Sequence, residues 1–361
     1  MSVSVNGSVR LALPGKGALE SATLAFLAEC GLKVNRSNPR QYLARIKSMS
    51  EIEVVFQRAA DIPELVQSGD AALGITGYDI LAEHRGYGDE EAEEEDHDEE
   101  TMVLVRDLGY GGCRLVVAVP ETWIDVSTCA DLWHLSGYYR THKGHGLRIA
   151  TKYPILTGQF LRRHNITHCK IFSPHGALEA APLTDTADLI VDLTETGTTL
   201  RENHLKLLDD GVVLRSQATM IGNAELLSQN PEVLRVTEIM LELIEARVQA
   251  RNRSMLVAEV RAENAEAMQN ICAGLKHRLR AIAPNLEFRI TASDLISNMG
   301  TGWYTISGVV GGRTEVSELL EVIAVLRGAG AVNVNVTPLT YCFTKESVSV
   351  RALHERLKRM R

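Results

Sequence analysis

The chain has 361 residues, of which 45% are hydrophobic and 23% charged. That composition belongs to a globular protein of two or three domains and excludes a disordered or fibrous one. A net charge of −8 and an aromatic content of 5% argue against nucleic acid or an anionic membrane as the main partner, because both favour basic surfaces and single strands also need stacking platforms.

The first residues, Met1-Ser-Val-Ser-Val-Asn-Gly-Ser8, lack a basic start followed by an apolar core, and no uninterrupted apolar run reaches bilayer length, so a cytoplasmic location is expected. Cys30, Cys113, Cys129, Cys169, Cys272 and Cys342 are scattered and form no CxxC pair, as expected of reduced thiols.

Residues 9–13 read as a short apolar strand, followed by the turn Pro14-Gly-Lys-Gly17 and a helical pattern through Leu19, Leu24, Phe26 and Leu27. Strand, glycine-rich turn and helix make the opening of an α/β alternation. Further strands are expected at 51–56 and 71–75, the second ending at Gly77. A helix start is expected at Asp61-Ile-Pro63, with proline in the first turn. Residues 89–100 are almost entirely acidic and read as a solvated loop. Strands follow at 102–106 and 113–119, while 121–146 reads as an insertion or extended connection. The next expected elements are a strand at 147–150, a helix at 155–163, a strand at 170–172, a short helix at 178–181 and a strand at 187–193. The repeated strand–helix units predict mostly parallel sheets in two lobes.

Residues 231–251 predict a long amphipathic helix, with Val233, Val236, Ile239, Met240, Leu243 and Ile244 on one stripe. Beyond it, a strand at 255–260, a helix at 265–279, strands at 286–291 and 303–309, a helix at 316–326 and a strand at 332–336 give the order βαββαβ of a ferredoxin-like unit.

The densest chemical signal is Asp192-Leu-Thr-Glu-Thr-Gly-Thr-Thr199, which holds four threonines, one glycine and two carboxylates in eight residues after a buried strand. Backbone N–H groups together with the hydroxyls of Thr194, Thr196, Thr198 and Thr199 make a cradle suited to a phosphate monoester. Gly197 permits close approach or a positive φ. Asp192 and Glu195 have the chemistry to accept hydrogen bonds from ribose hydroxyls. A capped helix after a core strand needs only one threonine, so the density points beyond capping. In the first turn, Lys16 is placed for phosphate if that turn lies at the carboxyl ends of parallel strands. Arg40 and Arg58 are further candidate cations. His164 and His168, and His142 and His145, lie outside any metal-binding motif and are expected to be structural or solvated. GxSxG, Walker A and GxGxxG are all absent.

Taken in order along nearly the whole chain, several motifs resemble the ATP phosphoribosyltransferase family, in its long form. They are Leu13-Pro-Gly-Lys-Gly-Ala18, Asn38-Pro-Arg-Gln-Tyr42, Phe56-Gln-Arg58, Gly69-Asp-Ala-Ala-Leu-Gly-Ile-Thr-Gly-Tyr-Asp79, Leu108-Gly-Tyr-Gly-Gly-Cys-Arg-Leu115, Arg148-Ile-Ala-Thr-Lys-Tyr-Pro154, Glu179-Ala-Ala-Pro182 through Leu200-Arg-Glu-Asn203, and Thr337-Pro-Leu-Thr-Tyr341.

The resemblance implies an α/β fold, with a two-lobed catalytic part like periplasmic binding proteins and a C-terminal ferredoxin-like regulatory domain. Lobe I would be 1–105 with 205–230, and lobe II 106–204 with the phosphoribosyl-diphosphate (PRPP) loop. A connecting helix would span 231–253 and the regulatory domain 254–361. The implied reaction joins N1 of the ATP adenine to C1 of the PRPP ribose and releases pyrophosphate, with Mg²⁺ as cofactor. It opens histidine biosynthesis and is inhibited by histidine, in dimers that assemble into hexamers. By position, Thr196, Gly197, Thr198 and Thr199, beside Thr194 and Glu195, hold the 5′-phosphate. Asp192 and Glu179 contact ribose, and Gly77 and Asp79 line the ATP side. Lys16, Arg40 and Arg58 serve the pyrophosphate or ATP phosphates as the catalytic cations.

Three positions depart from the family pattern: Ala18 stands where an Arg is usual, Asp185 where a Gly is usual, and no Gly-Pro-Thr turn accompanies Phe288-Arg-Ile-Thr291. Ala18 keeps open a catalytically silent nucleotide-binding or regulatory homologue as the alternative. A solute-binding protein would share the two-lobed fold but would need an export signal and has no use for the threonine-rich loop. A different phosphoribosyltransferase does not account for the other motifs.

Overall fold

The computed structural model describes residues 8–38, 40–86, 100–174, 178–262, 265–282, 287–291, 302–310 and 316–360; most of the acidic run at 89–100 lies outside them. The chain forms two compact units, Met1–Glu242 with Val348–Arg361, and Leu243–Ser347.

In the first unit the order is β1 (Val9–Pro14), α1 (Gly17–Glu29), β2 (Val34–Asn35), β3 (Leu43–Ile46), β4 (Met49–Gln57), α2 (Ile62–Gln67), β5 (Leu73–Gly77), α3 (Tyr78–Arg85) and β6 (Thr101–Val105). Then come β7 (Cys113–Pro120), α4 (Cys129–Tyr138), β8 (Leu147–Thr151), α5 (Pro154–Arg163), β9 (Cys169–Phe172), β10 (Leu189–Thr194), α6 (Thr198–Glu202), β11 (Leu205–Ser216), β12 (Ala218–Asn223), α7 (Ala224–Gln229) and α8 (Pro231–Ala250), whose residues from Leu243 on belong to the second unit.

Two sheets organise this unit. Lobe I is a seven-stranded sheet of order β2-β3-β4-β1-β5-β12-β6, and lobe II a five-stranded sheet of order β11-β7-β10-β8-β9. Their central strands are near-continuous apolar runs because both faces are covered: every residue of β5 is buried, and in β1 only Arg10 is not.

The expected predominance of parallel pairing is corrected here. β1 pairs parallel with β4 and β5, and β8 with β10 and β9, but β12 and β6 in lobe I, and β7 and β11 in lobe II, run antiparallel to their neighbours. The strands reached through helical crossovers are parallel, whereas those that carry the chain between lobes return in the opposite direction. Residues 205–216, expected in lobe I, form β11 and pair with β7 in lobe II, so the return to lobe I begins only at β12.

The expected short helix at 178–181 is a turn, closed by Ala181 N–H donating to Leu178 O at 3.0 Å; Ala181 precedes Pro182, which disfavours helical backbone there. The unreadable stretch 121–146 contains α4, started by a capping box of Thr128 and Asp131, and a π-helical turn at Tyr139–Lys143. On α8 the buried stripe is Val233, Val236, Thr237, Met240, Leu241 and Ile244, with Ile239 at its exposed rim.

The second unit holds β13 (Ser254–Arg261), α9 (Ala265–Ile282), β14 (Glu287–Thr291), β15 (Trp303–Val310), α10 (Val316–Gly328) and β16 (Ala331–Pro338). All pairings are antiparallel, in the order β14-β15-β13-β16. This is the ferredoxin-like arrangement expected from βαββαβ. Leu256, Ala258 and Val260 alternate on the inner face of β13 and pack with Ile306, Leu275, Leu279, Val322 and Leu326.

The last helix, α11 (Val348–Arg359), groups with the first unit although the expected C-terminal domain ran to 361. It buries Leu353 and Leu357, and Arg356 donates to the carbonyl of Val103 on β6 at 2.6 Å.

Candidate active site

Because β1, β4 and β5 are parallel neighbours, the residues that follow them share one edge of lobe I. Gly15 and Lys16 follow β1, Arg58 follows β4, and Gly77 ends β5. Gly15 N–H donates to Gln57 O at 2.7 Å, which holds the first turn against the end of β4. Lys16 is the exposed N-cap of α1 and Arg58 the exposed N-cap of a 3₁₀ turn at Ala59–Asp61. Arg40 precedes β3, which runs antiparallel to β4, so it reaches the same edge one strand further out. Its backbone N–H donates to Asn38 Oδ1 at 2.9 Å.

The chain crosses from β6 to β7 and returns from β11 to β12. The crossings are tied by Leu108 N–H to Ala218 O and Ala218 N–H to Tyr110 O, both 3.0 Å, and by the Gln217 amide donating to Arg106 O. They bring the edge of lobe I to the matching edge of lobe II.

Asp79, 4% exposed, sits at that junction. Its Oδ1 accepts from the Ser216 hydroxyl at 2.5 Å, its Oδ2 accepts from the Tyr153 hydroxyl at 2.6 Å, and its backbone N–H donates to Ser216 Oγ at 2.9 Å. A Cβ on Gly77 would lie 2.5 Å from Asp79 Oδ1, so only glycine lets the carboxylate fold back over the start of α3. Burial, then the adjacent Asp79 charge, drive the Tyr153 phenol far above its ordinary range, which keeps it a proton donor. Burial and Asp79 likewise push the neighbouring Cys113 thiol up to about 11. On the flank, the Glu83 carboxylate of α3 accepts from the N–H groups of Ile155 and Leu156 in the first turn of α5 at 2.8 and 3.0 Å.

In lobe II, β8 and β10 are parallel with Val191 opposite Thr151, so Lys152, Tyr153 and the loop after Asp192 occupy one edge. The loop is internally braced. Thr194 is buried and its hydroxyl oxygen accepts from Gly197 N–H at 2.8 Å, while the hydroxyls of Thr196 and Thr198 lie 2.9 Å apart. Gly197 has φ of +77°, the left-handed conformation that glycine adopts without steric cost. Glu195, Thr196, Thr198 and Thr199 are exposed. Thr194 is thereby spent on building the loop, while Thr196, Thr198 and Thr199 present hydroxyls to solvent.

Asp192 and Glu179 are both half-buried. Burial pushes the Asp192 carboxyl above its ordinary range; the Leu193 N–H bond and Lys152 oppose the shift, and the Glu179 charge adds to it. Two carboxylates in mutual repulsion beside an exposed ring of donors form a site suited to a polyhydroxylated, phosphorylated ligand.

The structure adds Tyr153, Ser216 and Lys152 to the residues expected from sequence. Tyr153 and Lys152 stand inside the motif Arg148–Pro154, but nothing local in the sequence joins Ser216 to Asp79. Asp185 has φ of +55°, and its carbonyl and carboxylate accept from Arg148 at 2.7 and 2.6 Å. A position in that region explains why glycine is the usual residue there and why Asp is tolerated. Ala18 is exposed in the first turn of α1.

Comparison with known proteins places the chain in a family by sequence. The family model described as ATP phosphoribosyltransferase matches residues 58–246. An ATP phosphoribosyltransferase of Brucella anthropi is 42% identical over 234 residues, covering 64% of this chain and 95% of the relative. One of Bradyrhizobium diazoefficiens is 33% identical over 350 residues, covering 97% and 98%. Among solved structures, a chain of the ATP phosphoribosyl transferase (HisG:HisZ) complex from Thermotoga maritima matches with 27% identity and a TM-score of 0.49, covering 66% of this chain and 98% of that one. By sequence along almost its whole length, the chain belongs to the ATP phosphoribosyltransferase family.

Proposed function

We propose that the cleft between the two carboxyl edges is where this chain joins N1 of ATP to C1 of PRPP and releases pyrophosphate, as the first step of histidine biosynthesis. The observation that carries this reading is the Tyr153–Asp79 bond, which sets the threonine loop of one lobe against the cationic edge of the other. Thr196, Thr198 and Thr199, with the backbone N–H groups around Gly197, hold the 5′-phosphate. Asp192 and Glu179 take the ribose hydroxyls. Lys16, Arg40 and Arg58 face the pyrophosphate and the ATP phosphates, while Gly77 and Asp79 border the adenine nucleotide. Attack by a ring nitrogen on an oxocarbenium-like C1 needs no covalent nucleophile from the protein. It needs alignment of the two reactants and neutralisation of charge on the leaving group.

Asp192 and Glu179 also fit Mg²⁺. Their like charges, crowded in partial burial, are the hard oxygen donors that the ion prefers to share with substrate phosphates. Asp192 and Glu179 would hold the ion, which would supply positive charge to the leaving pyrophosphate.

The βαββαβ unit is the histidine-responsive part, and the enzyme is a feedback-inhibited hexamer of the cytoplasm. In support, none of the substrate residues named above comes from that unit, which leaves it free for regulation.

The test is to incubate the purified protein with ATP, PRPP and Mg²⁺, with and without histidine, and to follow phosphoribosyl-ATP. Product that falls when histidine is added is expected. Product indifferent to histidine removes the regulatory assignment alone. A folded protein that binds ATP but makes no product removes the catalytic one and favours the silent homologue.

A further inference from the structure

Beside the irregular middle of β11, three metal-ligating side chains converge from distant parts of the chain. The Cys129 thiol, a ring nitrogen of His164 and a carboxylate oxygen of Asp210 all lie within 4.8 Å of one another. Cys129 is the first residue of α4, 1% exposed and fixed in place by the capping box of Thr128 and Asp131. His164 caps the carboxyl end of α5, with its ring against Phe160 at a centroid distance of 4.5 Å. Asp210 lies in the irregular part of β11, where the register against β7 shifts between Leu207 and Val212.

We propose that Cys129, His164 and Asp210 form a binding site for one divalent transition-metal ion, best suited to Zn²⁺, which clamps α4, α5 and β11 together. The donor set decides the ion. Thiolate, imidazole and carboxylate are the three zinc-ligand types, whereas Mg²⁺ takes oxygen almost exclusively. Three protein donors leave a fourth tetrahedral position for water. Tetrahedral bond lengths bring such donors to roughly 3–4 Å of one another, so the site closes slightly on binding. His164 is half-buried and Asp210 exposed, which leaves room to do so.

The existing bonds preform the site. Cys129 N–H donates to Asp210 Oδ1 at 2.7 Å and the thiol donates to the Asp210 carbonyl at 3.7 Å. Among the described residues neither ring nitrogen of His164 has a hydrogen-bond partner. Without an ion the thiol is neutral, pushed up to about 12 by burial and by Asp210. A bound cation reverses that preference and displaces the thiol proton to the buffer.

The test uses the full chain, stripped with chelator and re-equilibrated with Zn²⁺ or Co²⁺ in excess Mg²⁺ and without substrates. One Zn²⁺ per chain should survive gel filtration. The Co²⁺ form should show a thiolate-to-cobalt charge-transfer band, and about one proton should be released per ion bound. Cys129→Ser should abolish the band. His164→Gln, at a half-buried position, should keep the melting temperature of the metal-free wild type and weaken Zn²⁺ retention at least tenfold. Failure of the wild type to retain Zn²⁺, a band that persists in Cys129→Ser, or retention by either variant equal to that of the wild type would each overturn the proposal.

Discussion

The Tyr153 hydroxyl donates to Oδ2 of Asp79 at 2.6 Å, joining residues 74 positions apart and belonging to opposite lobes. Among the described residues it is one of two side-chain donors on a carboxylate that is almost fully buried. Tyr153→Phe removes that donor and strands half of the carboxylate. The expected cost is about 1–3 kcal/mol of unfolding free energy, read from the urea midpoint. Because the bond also sets lobe against lobe, KM for ATP should rise in the same variant. A Tyr153→Phe enzyme with unchanged stability and kinetics would show that the lobes are aligned by the crossings alone.

The threonine loop predicts a split between substrates. Thr196→Ala with Thr198→Ala removes two exposed hydroxyls and leaves the Thr194 brace of Gly197 intact. Hydrogen bonds to a charged phosphate contribute about 1.5–3 kcal/mol each, so KM for PRPP should rise by at least tenfold while KM for ATP moves little. Equal loss for both substrates would point to collapse of the loop instead.

Asp192 predicts a pH signature. Its carboxyl is raised in the folded protein above the ordinary 3.8, chiefly by burial. Between 3.8 and the raised value the folded state therefore holds more protons than the unfolded one, and stability falls as pH rises through that window. Asp192→Asn removes the group, so the urea midpoint of wild type should drop relative to the variant with increasing pH and then run parallel to it. A constant difference across the window would mean that the carboxyl is not perturbed.

Arg148 guards a second carboxylate. Asp188 is 9% exposed and its carboxylate accepts from Arg148 N–H at 2.7 Å and from the guanidinium at 2.9 and 3.2 Å. Burial alone would raise its carboxyl, but the Arg148 bonds hold it below the usual range. Arg148→Met leaves that charge buried without its partner, at an expected cost of about 3–5 kcal/mol. The contribution is full above 3.8 and disappears as pH falls through the lowered folded value. Asp185→Gly gives a contrast. It loses an exposed ion pair but relieves a positive φ, so stability should stay within about 1 kcal/mol.

Sequence made some levels of this molecule readable and hid others. Strands β1, β5 and β10 declared themselves because burial on both faces demands nearly unbroken apolar runs, and β4 by its alternation of buried and partly buried residues. The βαββαβ unit was legible from order alone. Helix α4 carried its own start signal in Thr128-Cys-Ala-Asp131, but the histidines and glycines that follow obscured its period. The antiparallel return of β11 and β12 has no local mark, since pairing direction depends on which lobe the chain is crossing. At the cleft, the glycine- and threonine-rich loops stood out because backbone approach to phosphate demands particular residue types. Ser216 did not, because a serine buried beside a carboxylate looks like any other serine until the fold brings the two together.

The return of α11 to the first unit makes Leu243–Ser347 an insertion rather than a tail. A tail communicates with its host through a single connection, whereas this unit is spliced in at two points, at α8 and at the junction of Ser347 with Val348. A stop codon just after Ser347 would spare the entire ferredoxin-like sheet and yet strip β6 of the helix that buries Leu353 and Leu357 against the first unit. Helix α11 is therefore, in structural terms, a part of the unit that β1 begins.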